Sequence, residues 1–164
     1  MSNFTVISPE FNDQERLQRV HEFDGFDGTG QNRSPALKWQ GAPKGANSFA
    51  LTLYDPDAPT GSGFWHWILF NIDPSVTQLA AGAGSGNATD LGAGGTQTTN
   101  DYGTMGYGGP CPPKGLPPHR YIFTVHALSV HKLELPPRVS NAVVRFVIYR
   151  NTLATTTLTG LYNR

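Results

Sequence analysis

The sequence has no excess of either charge and almost no cysteine. Lys and Arg together number 12, as do Asp and Glu, so the formal net charge at pH 7 is zero. A general nucleic-acid binder is expected to be basic, and this balance argues against that class of protein. Cys111 is the single cysteine, which excludes a disulfide within the chain. We therefore expect neither a nucleic-acid partner nor a disulfide-stabilised scaffold.

Long apolar runs are also absent. No stretch approaches the roughly 20 residues of a membrane-spanning helix, so no integral membrane segment is expected. The opening residues MSNFTVISPEFNDQER lack the basic and apolar regions of a secretory signal, which predicts a cytoplasmic protein. Charged residues make up only 15%, while 19 glycines and 13 prolines indicate many turns. This composition favours a strand-and-loop protein, and the length suits one domain over residues 1–164.

Two predicted strands flank a stiff acidic loop near the middle of the chain. Side chains alternate in character over residues 49–54, which is the period-two pattern of a strand. This strand is expected to stop at Asp55, because the proline that follows lacks a backbone donor. Residues 64–72 form the second predicted strand, whose successive side chains should point to opposite faces. One face is expected to carry Phe64, His66, Ile68, Phe70 and Ile72, and the other Trp65, Trp67, Leu69 and Asn71.

A second stretch, residues 106–128, repeats this arrangement. A loop rich in glycine and proline leads into a predicted strand that begins at His119. Odd-numbered side chains from 119 to 127 are expected to share one face of it, and even-numbered ones the other. His66, His119 and Asp55 therefore stand where strands meet rigid loops. Binding sites are commonly built at such places, so a site is predicted there.

The two ends of the chain carry weaker patterns. Residues 13–22 have the propensity for a short helix, and the small residues of 78–95 predict a loop. From residue 141 the apolar positions follow a helical period, with Ser140 as the N-cap. The predicted helix face comprises Val143, Phe146, Val147, Arg150, Ala154, Leu158 and Leu161. A C-terminal helix is therefore expected.

Four motifs in this order resemble the phosphatidylethanolamine-binding protein family, in the form of its bacterial Raf kinase inhibitor-like branch. They are residues 55–59 (DPDAP), His66 at the start of a strand, residues 109–113 (GPCPP) and residues 118–121 (PHRY). The resemblance implies a mainly β fold. It would be an antiparallel Greek-key β-sandwich, with a large central sheet, a smaller sheet and a peripheral C-terminal α-helix.

The resemblance also implies a small pocket that binds anions such as phosphate, phosphoethanolamine or acetate. The family's pocket positions fall on Asp55, Ala58, Pro59, His66, Cys111, Pro112, His119 and Tyr121. Supporting positions are Asp57, Trp65, Gly109 and Arg120, and Arg120 is the expected partner of Asp57. The chain ends at Arg164, soon after the predicted helix, so the wall supplied by a C-terminal segment in eukaryotic members is expected to be missing.

The residue types suit a phosphoryl group with a cationic end. Both histidines can donate a ring N–H to an anion. Asp55 would repel a bare phosphate unless it orients a histidine or meets a cation. An ethanolamine ammonium would satisfy Asp55, and Trp65, Trp67 or Tyr121 would add a cation–π contact. A zwitterionic ligand is therefore favoured over a plain anion.

Two other chemistries compete with binding. Cys111, with His66 or His119 as its base, would make a hydrolase-type enzyme. Asp55 and the two histidines would alternatively make a two-histidine, one-carboxylate metal site, although their spacing contains no short ligand motif. We expect no cofactor, no metal and no catalytic residue. A kinase or protease partner regulated through the pocket mouth, and a homodimer, follow from the resemblance alone.

Overall fold

The computed structural model describes residues 3–164 and contains two β-sheets and one α-helix. The strands are β1 (Thr5–Ile7), β2 (Glu15–Arg16), β3 (Leu37–Gln40), β4 (Ser48–Asp55), β5 (Phe64–Ile72), β6 (Gln78–Leu79), β7 (Thr96–Gln97), β8 (His119–Leu128) and β9 (Thr152–Tyr162). The helix α1 (Asn141–Arg150) lies between β8 and β9 in the chain. The mainly β prediction is confirmed.

The larger sheet has six strands in the order β2-β9-β8-β4-β5-β7, and the smaller has the order β1-β3-β6. Every pair is antiparallel except β2 with β9, where Glu15 lies beside Gly160 in a parallel register. The larger sheet is therefore mixed, and the expectation of a purely antiparallel sandwich was wrong at this edge. The Greek-key connection stays a prediction.

Apolar side chains cover both faces of the larger sheet. One cluster lies between the two sheets and includes Trp39, Leu51 and Phe123. The other lies beneath α1, where Ile68 packs with Ile148. No helix among residues 3–164 is long and apolar enough to cross a membrane. The cytoplasmic location stays a prediction.

Two irregularities in β5 overturn the predicted faces of that strand. Leu53 lies opposite Trp67 and Tyr54 opposite Trp65, so His66 is an extra residue that forms a β-bulge. Trp65 and Ile68 consequently pack on the α1 side, while Trp67 joins the core between the sheets. A second shift near Asn71, whose φ is 54°, returns the strand to its earlier phase. Of the other side chains of β5, Phe70 packs beneath α1, whereas Leu69 and Ile72 lie in the core between the sheets.

The predicted C-terminal helix is also too long. It ends at Arg150, and residues 152–162 form strand β9, which pairs along β8. Ala154 and Leu158 therefore meet the core from a strand. The three consecutive threonines of residues 155–157 are β-branched, and such residues fit a pleated strand better than a helix.

The expected helix over residues 13–22 is wrong as well. Those residues form β2 and a single 3₁₀ turn, Arg19–His21. Few of their positions are apolar, so a helix there would have had little to bury.

Candidate functional site

All eight residues expected to contact a ligand line one cavity at the end of the larger sheet. Its volume is about 140 Å³. Its walls are Asp55, Ala58, Pro59, Thr60, Phe64, His66, Tyr102, Cys111, Pro112, Pro113, His119 and Tyr121. β4 ends here at Asp55, and β8 begins here at His119. The cavity is well below the roughly 300–1,000 Å³ of pockets that enclose drug-sized ligands, so it suits a headgroup-sized molecule.

A buried carboxylate–imidazole pair joins the two strand ends. His119 Nδ1 lies 2.8 Å from Asp55 Oδ2, and Asp55 is only 2% exposed. The other oxygen, Oδ1, accepts the backbone N–H of Asp57 at 2.8 Å. Asp55 therefore holds the His119 ring in one orientation, with Nδ1–H donating to the carboxylate. In the neutral ring this leaves the lone pair on Nε2, and protonation turns Nε2 into a donor.

The second histidine, His66, has a backbone carbonyl as its partner instead of a carboxylate. His66 Nδ1 donates to the carbonyl of Gly108 at 2.7 Å, so Nε2 is the acceptor of its neutral ring. Burial lowers the pKa of His66 to about 4, although the Gly108 bond and the Asp55 charge oppose that shift. The ring is thus neutral at pH 7. The expectation that both histidines donate an N–H to a ligand is therefore corrected for His66.

Two tyrosines complete the polar part of the cavity. Tyr102 donates its hydroxyl hydrogen to the carbonyl of Gly109 at 2.8 Å. The Tyr121 hydroxyl is buried and makes no hydrogen bond of normal geometry with any of residues 3–164. Burial, then the charge of nearby Asp55 and a weak hydrogen-bonding contact with that carboxylate raise the pKa of Tyr121, so the hydroxyl stays protonated. A buried hydroxyl that lacks a well-aligned protein acceptor indicates a place for a ligand or a water molecule.

Four lining residues were not identified from the sequence. The available signal was proximity in sequence, because Thr60 follows the motif of residues 55–59, Pro113 ends the motif of residues 109–113, and Phe64 lies two residues before His66. Tyr102 has no such signal, because it comes from the loop between β7 and β8. Its ring stacks on Phe23 at 4.0 Å and meets Phe64 edge-on at 4.6 Å.

The four supporting residues do not line the cavity. Asp57 forms a two-pronged ion pair with Arg120, at 2.8 and 3.0 Å, so that predicted partnership is confirmed. Gly109 abuts other backbone, since a Cβ there would lie 2.0 Å from the carbonyl oxygen of His21. Trp65 faces α1 on the other side of the sheet. The expected cation–π contact from Trp65 to a ligand in this cavity is therefore excluded.

The geometry favours neither of the competing chemistries. The Cys111 thiol lies 3.6 Å from Asp27 Oδ1, and burial raises its pKa despite the nearby Arg164. A raised pKa disfavours the thiolate that a nucleophile needs. Within residues 3–164, no group of three His, Cys, Asp or Glu side chains is arranged to hold a metal ion. Asp55 is bound to Nδ1 of His119, on the ring side opposite to the free Nε2.

Comparison with known proteins now identifies the family. A family model described as phosphatidylethanolamine-binding protein matches residues 7–163. The chain belongs to the phosphatidylethanolamine-binding protein family. It is 46% identical to UPF0098 protein YbcL of Escherichia coli K12, over 97% of this chain and 87% of that protein. It is 42% identical to UPF0098 protein YbhB of the same strain, over 96% and 99% of the two chains.

Solved structures of family members agree with this assignment. The crystal structure of YbcL, described as a new member of the mammalian PEBP family, superposes with a TM-score of 0.93 over 98% of each chain. A phosphatidylethanolamine-binding protein homologue from Chlamydia trachomatis, CT736, is 28% identical with a TM-score of 0.81. That match covers 100% of this chain and 99% of CT736. The expected family membership is confirmed, while the binding role of each cavity residue stays a prediction.

Proposed function

We propose that the protein binds a small phosphoryl or other anionic headgroup, such as phosphate or phosphoethanolamine, in the cavity at the end of the larger sheet. The observation that carries the proposal is the buried Asp55–His119 pair beside the free hydroxyl of Tyr121. These groups supply directed donors in a place with little competing water. Charge-assisted hydrogen bonds of this type are about twice as strong as neutral ones.

The two donors have separate tasks. A protonated His119 ring donates a hydrogen bond to the anion from Nε2, while Asp55 balances the positive charge of that ring. The Tyr121 hydroxyl donates a second hydrogen bond. Neutral His66 is an acceptor and suits a ligand hydroxyl or ammonium group.

Asp55 does not require a zwitterionic ligand. Both of its oxygens already accept a hydrogen bond from the protein, so it does not need an ammonium group as a partner. An ethanolamine end would instead meet the rings of Phe64 and Tyr102, which line the same cavity. Phosphate and phosphoethanolamine thus share one anion site and differ only at these rings.

A thermal-shift series with phosphate, phosphoethanolamine and acetate tests the proposal. A ligand that binds only the folded protein stabilises it by about 2.7 kcal/mol at a hundred times its Kd. We expect a higher Tm for the wild type and no shift for His119→Ala. The matched control is His126→Ala, which removes a histidine from the opposite face of the same strand and should keep the shift.

Two results would count against the proposal. One is the absence of a Tm shift with any of the three anions. The other is an equal shift in His119→Ala, which would place the bound anion elsewhere. Regulation of a kinase or protease, and a homodimer, remain further proposals drawn from the family. A partner that binds equally well at saturating phosphate would favour regulation through a surface outside the cavity.

A further inference from the structure

A second cavity lies on the opposite face of the larger sheet, between the sheet and α1. Its volume is about 280 Å³, twice that of the first cavity. Its walls are Thr52, Trp65, His126, Ala142, Arg145, Phe146, Ile148 and Tyr149. None of these residues lines the first cavity. The volume is near the lower end of the roughly 300–1,000 Å³ typical of small-molecule sites, so it suits a single-ring compound.

Aromatic rings form much of this second cavity. The bulge at His66 turns Trp65 toward α1, where Tyr54 stacks on it at a centroid distance of 4.2 Å. Across the opening, α1 presents Phe146, which is 58% exposed, and Tyr149, which is 79% exposed. Both rings stand exposed at the mouth of the cavity, and the Arg150 guanidinium carbon lies 5.7 Å from the centre of the Phe146 ring. They offer an apolar surface to a flat molecule.

Arg145 contributes a positive charge, and its two Nη groups have no hydrogen-bond acceptor among residues 3–164. Its guanidinium carbon lies 3.9 Å from the centre of the Trp65 ring, and its Nε donates to Asn141 Oδ1 at 3.1 Å. Nothing among residues 3–164 accepts a hydrogen bond from either of its Nη groups. The nearby carboxylate of Asp101 already accepts hydrogen bonds from the side-chain amide of Asn141 and from the backbone N–H of Trp65.

Three other arginines of the chain pair closely with a carboxylate, whereas Arg145 does not. Arg33, Arg120 and Arg164 each have a carboxylate oxygen within 2.5–2.8 Å. Arg145 is half-buried, so its charge is incompletely solvated, and this burial lowers the pKa of the guanidinium. A partly desolvated guanidinium with free N–H groups has a strong preference for an oxyanion.

His126 adds a second unsatisfied polar group. Its Nε2 lies 3.1 Å from Thr52 Oγ1, and its Nδ1 is buried without a hydrogen-bond partner in the described part of the chain. Burial lowers the pKa of His126 to about 4, so the ring is neutral at pH 7. Among the residues that line this cavity, Arg145 is therefore the one that carries a charge, with the carboxylate of Asp101 nearby.

We propose that the second cavity binds a small aromatic carboxylate, with its ring against Trp65 and Phe146 and its carboxylate on the free Nη groups of Arg145. A planar guanidinium and a planar carboxylate match in a two-pronged hydrogen bond. One arginine also balances one carboxylate charge, whereas a phosphate monoester carries about two negative charges at pH 7. The occupant is thus a monoanion with an apolar ring.

Titration with benzoate and with neutral benzyl alcohol, followed by calorimetry and by NMR shifts, tests this assignment. We expect benzoate to bind more tightly than benzyl alcohol and to shift the Trp65 indole N–H signal. Arg145→Gln keeps a polar, though shorter, side chain and removes the charge. It should weaken benzoate about tenfold or more, because a hydrogen bond to a charged group is lost, and leave benzyl alcohol unchanged.

Two further variants make the result decisive. Phe146→Ala should weaken both probes, and His119→Ala should weaken neither. Equal benzoate affinity in the wild type and in folded Arg145→Gln would overturn the proposal. So would benzoate that binds no better than benzyl alcohol, no binding of either probe, or binding lost in His119→Ala. If Arg145→Gln does not fold, Arg145→Lys keeps the charge but not the planar fork, and should bind benzoate with reduced affinity.

Discussion

The two cavities share one sheet but differ in how their polar groups are held. In the first cavity, Asp55 fixes the ring of His119 and the Gly108 carbonyl fixes the ring of His66, while the Tyr121 hydroxyl makes no hydrogen bond of normal geometry with residues 3–164. In the second, the end of Arg145 and Nδ1 of His126 lack partners among residues 3–164. The first site is organised by the protein itself. Changes there should therefore cost both stability and binding, whereas changes in the second should cost mainly binding.

The largest effect expected from this comparison is that of Asp55→Ala. It leaves His119 buried without its carboxylate and frees the backbone N–H of Asp57. Each buried donor that loses its acceptor in this way costs about 1–3 kcal/mol in the free energy of unfolding. Urea unfolding measures this loss, and the Tm shift with phosphate should disappear as well.

Asp55→Asn is the matched control for that variant. Its amide oxygen can still accept one hydrogen bond, so it should retain more stability than the alanine variant. If Asp55→Ala unfolds at as high a urea concentration as Arg145→Ala, the polar groups of the first cavity do not stabilise the fold more than those of the second.

The next effect is a loss of stability in mild acid that comes from both cavities. The pKa values of His66 and His126 are lowered to about 4 in the folded protein, while an unfolded histidine titrates near 6.5. Their neutral forms stabilise the fold fully above pH 6.5. This contribution is lost as the pH falls toward 4, since the unfolded chain binds protons first. Each buried ring contributes up to roughly 3 kcal/mol to that loss.

Unfolding of His126→Gln at pH 7.5 and at pH 5 separates the two contributions. The variant should lose less stability than the wild type between those two pH values. His131→Gln removes an exposed histidine and serves as the control. An identical acid loss in His126→Gln and in the wild type would show that His126 is not shielded from water.

A smaller effect is expected for Trp65→Phe, which tests where that side chain belongs. The variant loses part of the stacking on Tyr54 and of the cation–π contact with Arg145, together worth about 1–2 kcal/mol. The Tm shift with phosphate should stay as in the wild type, because Trp65 faces the second cavity. If phosphate no longer raises the Tm of Trp65→Phe, Trp65 contributes to the first cavity after all.

The first cavity was predictable from sequence because its residues lie in short rigid motifs at strand ends. Asp55 ends β4, His66 lies near the start of β5 and His119 begins β8, and prolines stiffen the loops next to these strands. The second cavity was not predictable for two physical reasons. An alternating pattern does not reveal an extra residue, so the bulge at His66 and the turn of Trp65 toward α1 remained invisible.

The second reason concerns the end of α1. The apolar period continues through Ala154 and Leu158, and it fits a helix as well as a half-buried strand. Pairing with β8 decides between them, and that contact joins segments distant in sequence. Phe146 and Tyr149 are exposed on α1, whereas Ala154 and Leu158 of the predicted face meet the core from β9.

The smallest stability effect is expected at the outer pair of the same acidic loop, Asp57 with Arg120. The Arg120 guanidinium holds the pKa of Asp57 down at about 2, so this pair stabilises the fold above pH 3.8 and its contribution is lost as the pH falls toward 2. Asp57→Asn should lower the free energy of unfolding by about 1 kcal/mol or less, because water screens an exposed pair. Urea unfolding at pH 7 in low and high salt measures this, and the difference from wild type should shrink with salt. A loss as large as that of Asp55→Ala would show that the loop depends on its outer pair rather than on the buried one.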